Sequence, residues 1–130
     1  MTSFPTLLGI DYGTQRIGIA ISHTSLAEPL TIILSDRSAI PSLQEIVKKY
    51  SIEKIILGLS ENEMAEKTKA FAEELKKNVI VPIEFVDETL TSAEVHSKFA
   101  EKEKGKRKYK GPIDHYAAAE ILQMYLNDLS

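Results

Sequence analysis

Residues 7–21 read LLGIDYGTQRIGIAI, and the predicted fold starts from this stretch. Its first part is an apolar run that ends in a carboxylate, Asp11. Gly13 and Thr14 then supply a turn, and from Arg16 onward the residues alternate with a period of two. The stretch therefore predicts a buried first strand joined to a second, antiparallel strand by a hairpin.

The remainder of the chain alternates between short apolar segments and helical patterns. Three apolar segments predict strands, at residues 30–34, 54–58 and 79–86. Three capping boxes predict helix starts, at residues 42–45, 60–63 and 91–94, and a last helix is predicted over 114–127. The order β-β-β-α-β-α-β-α-α predicts an α/β fold: one five-stranded mixed sheet, its first three strands antiparallel, flanked by helices. This is the order of the ribonuclease H-like fold, in a single domain over residues 1–130.

Composition narrows the class of protein. A chain of 130 residues is long enough for one continuous core. It has no cysteine, which excludes disulfides and thiolate metal sites, and no apolar run near the ~20 residues that a membrane span needs. The first residues lack the features of an export signal, so we expect a cytoplasmic protein with no membrane partner.

Three acidic residues are candidates for a catalytic site. Asp11 and Glu88 follow apolar strands, and Asp114 begins the last predicted helix. A mixed sheet can bring these positions to one edge. Carboxylate oxygens suit hard cations, so we expect this trio to bind Mg²⁺ or Mn²⁺. Two such ions about 3.5–4 Å apart would serve phosphodiester cleavage.

Each acid also has a structural interpretation, and the sequence leaves both open. Asp11 can cap its own turn, and Glu88 can belong to an acidic loop at the end of its strand, before the helix that begins at Thr91. Asp87 and Glu88 are adjacent, so only one of them can point where Asp11 points. Asp114 is a preferred residue at a helix N-terminus.

The positive charge is concentrated late in the chain. Residues 98–110 hold seven Lys or Arg against two Glu, a local charge of +5, so the remainder of a chain of net charge −3 carries −8. Such asymmetry favours a polyanionic partner. We expect phosphate contacts from this segment and from Arg16, although a solvated loop and an exposed hairpin arginine explain them equally well. The candidate nucleic-acid contacts are Arg16, Lys106, Arg107, Lys108, Tyr109 and Lys110.

Three ordered motifs resemble the YqgF (RuvX) family of bacterial ribonuclease H-like proteins: residues 9–20, 86–94 and 113–122. The family is described as Holliday-junction resolvases and as nucleases that process the 5′ end of pre-16S ribosomal RNA. The resemblance covers residues 7–126. It implies an acidic site at Asp11, Glu88 and Asp114.

Two positions depart from the family pattern. The family usually has Gly-Leu-Pro and a glycine-containing loop after the fourth strand, where this chain has Gly58-Leu59-Ser60-Glu61. It also usually has Arg after Asp-Glu, where this chain has Thr89. Both differences concern substrate contacts more than the fold.

The resulting hypothesis is a metal-dependent endonuclease, acting as monomer or homodimer, that processes pre-rRNA during ribosome biogenesis. One alternative is a junction-resolving DNA nuclease, and another is a non-catalytic RNA-binding assembly factor. Nucleotide hydrolysis is a weaker alternative, since residues 9–14 also look like the first phosphate loop of actin-type ATPases, which use two such domains.

Overall fold

The computed structural model describes residues 4–60, 63–87 and 114–129. Five strands and three helices lie within these ranges. The strands are β1 (Leu7–Asp11), β2 (Arg16–Ser22), β3 (Ala27–Leu34), β4 (Lys54–Leu59) and β5 (Ile83–Asp87). The helices are α1 (Ala39–Lys49), α2 (Glu63–Lys76) and α3 (Asp114–Leu129).

The strands form one mixed sheet in the order β3-β2-β1-β4-β5. β1, β2 and β3 pair antiparallel, whereas β4 runs parallel to β1 and β5 runs parallel to β4. This confirms the predicted α/β architecture, including the three antiparallel strands. Because β1, β4 and β5 are parallel, their carboxyl ends lie at the same edge of the sheet, which we call the carboxyl edge.

One face of the sheet packs against α1 and α2 through large aliphatic side chains. Alternate residues of the strands point to this side, as the period of two requires. The fully buried members in the strands are Leu8, Ile10, Ile17, Ile19, Ile55 and Leu57, and Leu43 and Leu75 contribute from the helices.

The other face packs against α3 and combines small residues with large aliphatic ones. Leu7, Ala20, Ala27 and Ile56 lie on the sheet side of this cluster, and the helix contributes residues 118, 119, 121, 122 and 126. A Cβ added at Gly9 would lie 2.8 Å from Leu122 Cβ and 3.0 Å from the Ala118 carbonyl oxygen. The helix therefore rests on the backbone of β1.

Two element boundaries differ from the sequence prediction in the first half. β3 begins at Ala27 rather than at residue 30, and it includes Pro29. Pro29 is tolerated because β3 is an edge strand whose pairing with β2 is irregular at Ile19/Ala20. α1 begins at Ala39 with Ser38 as N-cap, so the predicted capping box at Ser42 was wrong.

β5 is shorter than predicted, beginning at Ile83 instead of residue 79. Strand pairing explains the difference, because the first pair with β4 is Ile55 with Ile83. The amide of Val79 still bonds to the Leu75 carbonyl, 3.1 Å away, at the end of α2. Part of the capping box at 60–63 and all of the box at 91–94 lie outside the described residues. Among the helices described, none is long and apolar enough to cross a membrane.

Candidate active site

Asp11 is the last residue of β1, at the carboxyl edge, and its side chain is half-buried. It lies on the α3 face, because Gly9, two residues earlier, is the residue that contacts α3. Glycines lie on both sides of it. Gly18 opposes Asp11 on β2, and Gly58 follows the Ile10–Leu57 pair on β4. No side chain from these two positions fills the space beside the carboxylate.

The start of α3 lies at the same edge. Ala118 and Leu122 lie over Gly9, while Tyr125 is hydrogen-bonded to Lys54 near the amino ends of β1 and β4. The helix therefore runs antiparallel to β1. Going back from Ala118 to Asp114 covers about 6 Å of helix, and going on from Gly9 to Asp11 covers about 6.6 Å of strand. The backbone of Asp114 is thus brought over the end of β1.

The chain on either side of Asp11 is held in place. Tyr12 points to the opposite face and stacks on Phe71 of α2, with ring centroids 4.7 Å apart. In the turn that follows, a Cβ at Gly13 would lie 2.5 Å from the Arg16 carbonyl oxygen. The hairpin is too tight for any other residue at Gly13 unless the turn shifts. Both contacts restrict the direction in which the Asp11 carboxylate leaves the backbone.

The pairing of β5 with β4 shows to which face of the sheet Asp87 points. Val86 packs against the α3 cluster and pairs with Gly58, so Val86 points to the α3 face. Asp87 follows it directly and is exposed on the other face of the strand. Of the two adjacent acids between which the sequence leaves the choice open, Asp87 therefore does not share a face with Asp11. Glu88, the residue that the sequence favours, lies outside the described residues.

The chemistry at Asp11 fits a divalent cation. The carboxylate supplies hard oxygen ligands, and the glycines beside it carry no side chain that would compete with a ligand. Within residues 4–60, 63–87 and 114–129, no three His, Asp or Glu side chains form a complete metal-binding group. Of the three predicted ligands, the structure describes the side chain of Asp11 and the helical position of Asp114, the first residue of α3. Glu88 lies outside the described residues.

Two arginines lie at this edge, one at the start of β2 and one in the loop after β3. Arg16 is exposed at the start of β2 and pairs with Leu34, the last residue of β3. The two loops are joined by a hydrogen bond from the Ser35 amide to the Gln15 carbonyl, 2.9 Å long. Arg37 is exposed in the second loop, and the sequence prediction missed it because only the topology brings the loops together. The candidates Lys106, Arg107, Lys108, Tyr109 and Lys110 lie outside the described residues.

Asp36, in the same loop, has a structural role. Its carboxylate accepts hydrogen bonds from the hydroxyl and the amide of Ser38, the N-cap of α1. These bonds, the hydroxyl first, hold the pKa of Asp36 below its ordinary value. Asp36 is therefore an acid of the carboxyl edge that already serves a turn.

Gln123 is a buried polar residue that sequence reasoning also missed. It lies in the middle of α3 and is 9% exposed. Its Oε1 accepts a hydrogen bond from the Ala27 amide at 2.9 Å, and its Nε2 donates to the Ser25 carbonyl at 2.9 Å. The only signal in the sequence was a glutamine amid apolar residues, in ILQMYL.

At the amino end of the parallel strands, Lys54 joins the sheet to α3. Its ammonium donates to the hydroxyl of Tyr125 and to the carboxylate of Glu84, each at 3.1 Å. The hydrogen bond to Tyr125, followed by that to Glu84, raises the pKa of Lys54 above its ordinary value. This group is remote from Asp11 and holds the far end of the helix.

Comparison with known proteins assigns the family. A family model described as "RuvX: Holliday junction resolvase" matches residues 5–128. The chain belongs to the RuvX family. This confirms the family resemblance seen in the three sequence motifs. A RuvX relative from Sulfurihydrogenibium sp. is 39% identical over 95% of this chain and 91% of the relative. Another, from Halothermothrix orenii, is 34% identical over 93% of this chain and 94% of the relative. Both are named "Putative pre-16S rRNA nuclease".

Solved structures confirm the fold of this RuvX-family chain. Thermus thermophilus RuvC, in complex with a Holliday junction substrate, superposes with a TM-score of 0.65 at 15% identity, covering 97% of this chain and 96% of RuvC. The Fowlpox virus resolvase with its Holliday junction DNA superposes with a TM-score of 0.60 at 16% identity, covering 95% and 98%. At 15–16% sequence identity, this structural similarity establishes the ribonuclease H-like fold.

Proposed function

We propose that this RuvX-family chain is an endonuclease that uses Mg²⁺ or Mn²⁺ to cleave phosphodiester bonds in structured nucleic acid. Asp11, Glu88 and Asp114 hold the cations in this proposal. The main support for this function is the contact of α3 with Gly9, because this contact brings the start of α3 over the end of β1. This contact supports the convergence of Asp11 and Asp114 that the proposal requires.

The substrate we propose is pre-16S ribosomal RNA, cleaved toward its 5′ end in the cytoplasm. The names of the relatives at 34–39% identity support this choice. Branched DNA is the second candidate, supported by the description of the family model. A four-way junction has two symmetric cleavage positions, so this second function favours a homodimer, whereas RNA processing needs only a monomer.

The chain's own residues prepare the site for such a reaction. Backbone pairing with Gly18 and the stacking of Tyr12 on Phe71 orient the Asp11 carboxylate before substrate arrives. The small residues beside Asp11 admit a phosphate, and Arg16 offers a guanidinium to a neighbouring phosphate. Bound divalent cations would supply activation of water and stabilisation of the leaving oxygen.

The test of this function compares two substrates with one protein. A pre-16S-like RNA and a four-way DNA junction are incubated with Mn²⁺ and either wild type or Asp11→Asn. We expect the wild type to cleave the RNA and the variant to leave it intact. Preferential junction cleavage would support the second candidate. Tight RNA binding with equal, negligible cleavage by both proteins would support a non-catalytic assembly factor instead.

The basic segment is tested by the salt dependence of RNA binding. Replacing Lys106, Arg107, Lys108 and Lys110 by Gln should reduce the slope of log K against log [salt] by roughly 3–4, since each phosphate contact contributes about 0.7–0.9. A matched control replaces four exposed lysines at the ends of α1 and α2: Lys48, Lys49, Lys76 and Lys77. This control changes the net charge equally. Identical slopes for both variants would leave only a general charge effect.

A further inference from the structure

The contact between α3 and the sheet is close. Small residues on both sides, Gly9 in β1 and Ala118 in α3 among them, let the helix approach the strands, and larger residues such as Leu122 pack beside them. Hydrophobic packing stabilises this contact but is not directional. It therefore defines the axial position of α3 less sharply than hydrogen bonds do.

Gln123 makes directional hydrogen bonds, which this packing lacks. Its amide group bonds at both ends to the backbone at the start of β3, through the Ala27 amide and the Ser25 carbonyl. Asn127, one turn later in the helix, accepts a further hydrogen bond from Nε2 at 3.1 Å and so helps to orient the amide. Rotation or translation of α3 would break these bonds, and a buried amide without partners is costly.

Displacement at Gln123 is transmitted to the active edge. Asp114 precedes Gln123 by nine residues, about 13.5 Å of helix, which moves as a rigid rod over so short a length. Metal ligands must hold their distances to within about 0.2 Å. A slide of even one ångström by the helix would therefore displace Asp114 well beyond that tolerance.

We infer that Gln123 is a positioning residue, which sets the axial register of α3 and so the placement of Asp114 over Asp11 for divalent-cation binding. This inference rests on the proposed metal-dependent function. Gln123 lies about 13.5 Å along the helix from Asp114, so it acts through the helix and is not itself a ligand of the cation.

The experiment measures the Kd of Mn²⁺ by titration calorimetry without nucleic acid, for wild type and Gln123→Met. Methionine keeps the length of the side chain but removes its three hydrogen bonds, to Ala27, Ser25 and Asn127. We expect Mn²⁺ to bind about 10–100-fold more weakly, the range found when groups that orient metal ligands are lost. Metal-free amide exchange in the first turns of α3 should also be faster in the variant.

Tyr125→Phe is the matched control. It also removes one hydrogen bond between α3 and the sheet, to Lys54, but at the far end of the helix and in a more exposed position. Its Kd for Mn²⁺ should stay within about twofold of the wild-type value, because Gln123 still holds the register. Equal weakening in both variants would overturn the positioning role, since any loosening of α3 would then suffice.

Asn127→Ala gives a milder second variant if Gln123→Met does not fold. It leaves Gln123 with its two backbone partners but without the side-chain acceptor, so a loss of about 2–5-fold in Mn²⁺ affinity is expected, a fraction of the full effect. Unchanged affinity and unchanged amide exchange in Asn127→Ala would then overturn the inference. A wild type that binds no Mn²⁺ would instead defeat the proposed function itself, so the two failures are distinguishable.

Discussion

The two faces of the sheet are built from side chains of different size. Toward α1 and α2, the strands present large aliphatic residues such as Ile10, Ile19 and Leu57, all fully buried. Toward α3, β1 presents Leu7, Gly9 and Asp11, and β2 presents Gly18 and Ala20. The first face buries much apolar surface, and the second brings a helix close to the backbone.

The two faces therefore have different roles: one mainly stabilises the fold, and the other positions α3. Burying a large aliphatic side chain contributes about 1.5–3 kcal/mol, and the strands present more such residues to α1 and α2 than to α3. The position of α3, in turn, decides where Asp114 lies. We therefore expect substitutions on the first face to affect folding, and substitutions on the second to affect metal binding as well.

The largest expected effect comes from two neighbours in β4. Leu57 faces α1 and α2, and Ile56 faces α3, and both are 0% exposed. Leu57→Ala and Ile56→Ala should each lower the free energy of unfolding by about 2–5 kcal/mol, because each leaves a cavity. Only Ile56→Ala should also weaken Mn²⁺ binding. Urea denaturation and calorimetry measure the two effects, and equal Mn²⁺ affinities in the two variants would remove the distinction between the faces.

Asp11→Asn should lower the rate of nucleic-acid cleavage by at least ~10²-fold, since the loss of a group that merely orients a ligand already costs about 10–100-fold. The fold should be retained, because Asp11 is only half-buried at the end of its strand. Asp36→Asn is the matched control, an acid at the same edge that serves the turn before α1. Its cleavage rate should stay within a few-fold of wild type at saturating Mn²⁺.

Gly9→Ala tests the close approach of α3 directly. The new methyl would meet Leu122 Cβ at 2.8 Å and the Ala118 carbonyl at 3.0 Å, so the helix must move. We expect a loss of about 1–3 kcal/mol in unfolding free energy, typical of overpacking, together with weaker Mn²⁺ binding. Ser22→Ala is the control on the same face. Among the described residues the buried Ser22 hydroxyl has no hydrogen-bond partner, so its removal should be neutral or slightly stabilising.

The smallest expected effect concerns Lys54, which holds α3 from the remote end. Its raised pKa means that the folded state favours the charged form. This contribution is fully present below the ordinary value of 10.5 and is lost as pH rises through the higher folded pKa. Lys54→Met should cost no more than about 1 kcal/mol, as for a largely exposed ion pair. The difference from wild type in urea denaturation should be constant from pH 7 to 9 and shrink above pH 10.5.

Local sequence signals found the elements but misjudged several ends. The serine at 42 and the glutamate at 45 match a capping box, yet they lie inside α1, because Ser38 and Asp36 form the turn that starts the helix. The apolar residues from Val79 predicted strand, yet strand begins only where β4 offers a partner for Ile83. Both errors arise because pairing and turn geometry depend on residues far away in the chain.

The sequence by itself determined the order of the elements within the described residues, the family, and Asp11 as the acid that ends β1. Periodicity and local motifs are properties of neighbouring residues. Tertiary structure alone decided that α3 lies on Gly9, that Val86 rather than Asp87 faces α3, and that Gln123 bonds to residues almost a hundred positions earlier. The physical reason is that helix placement depends on close packing and on hydrogen bonds between distant segments, and no local pattern encodes them.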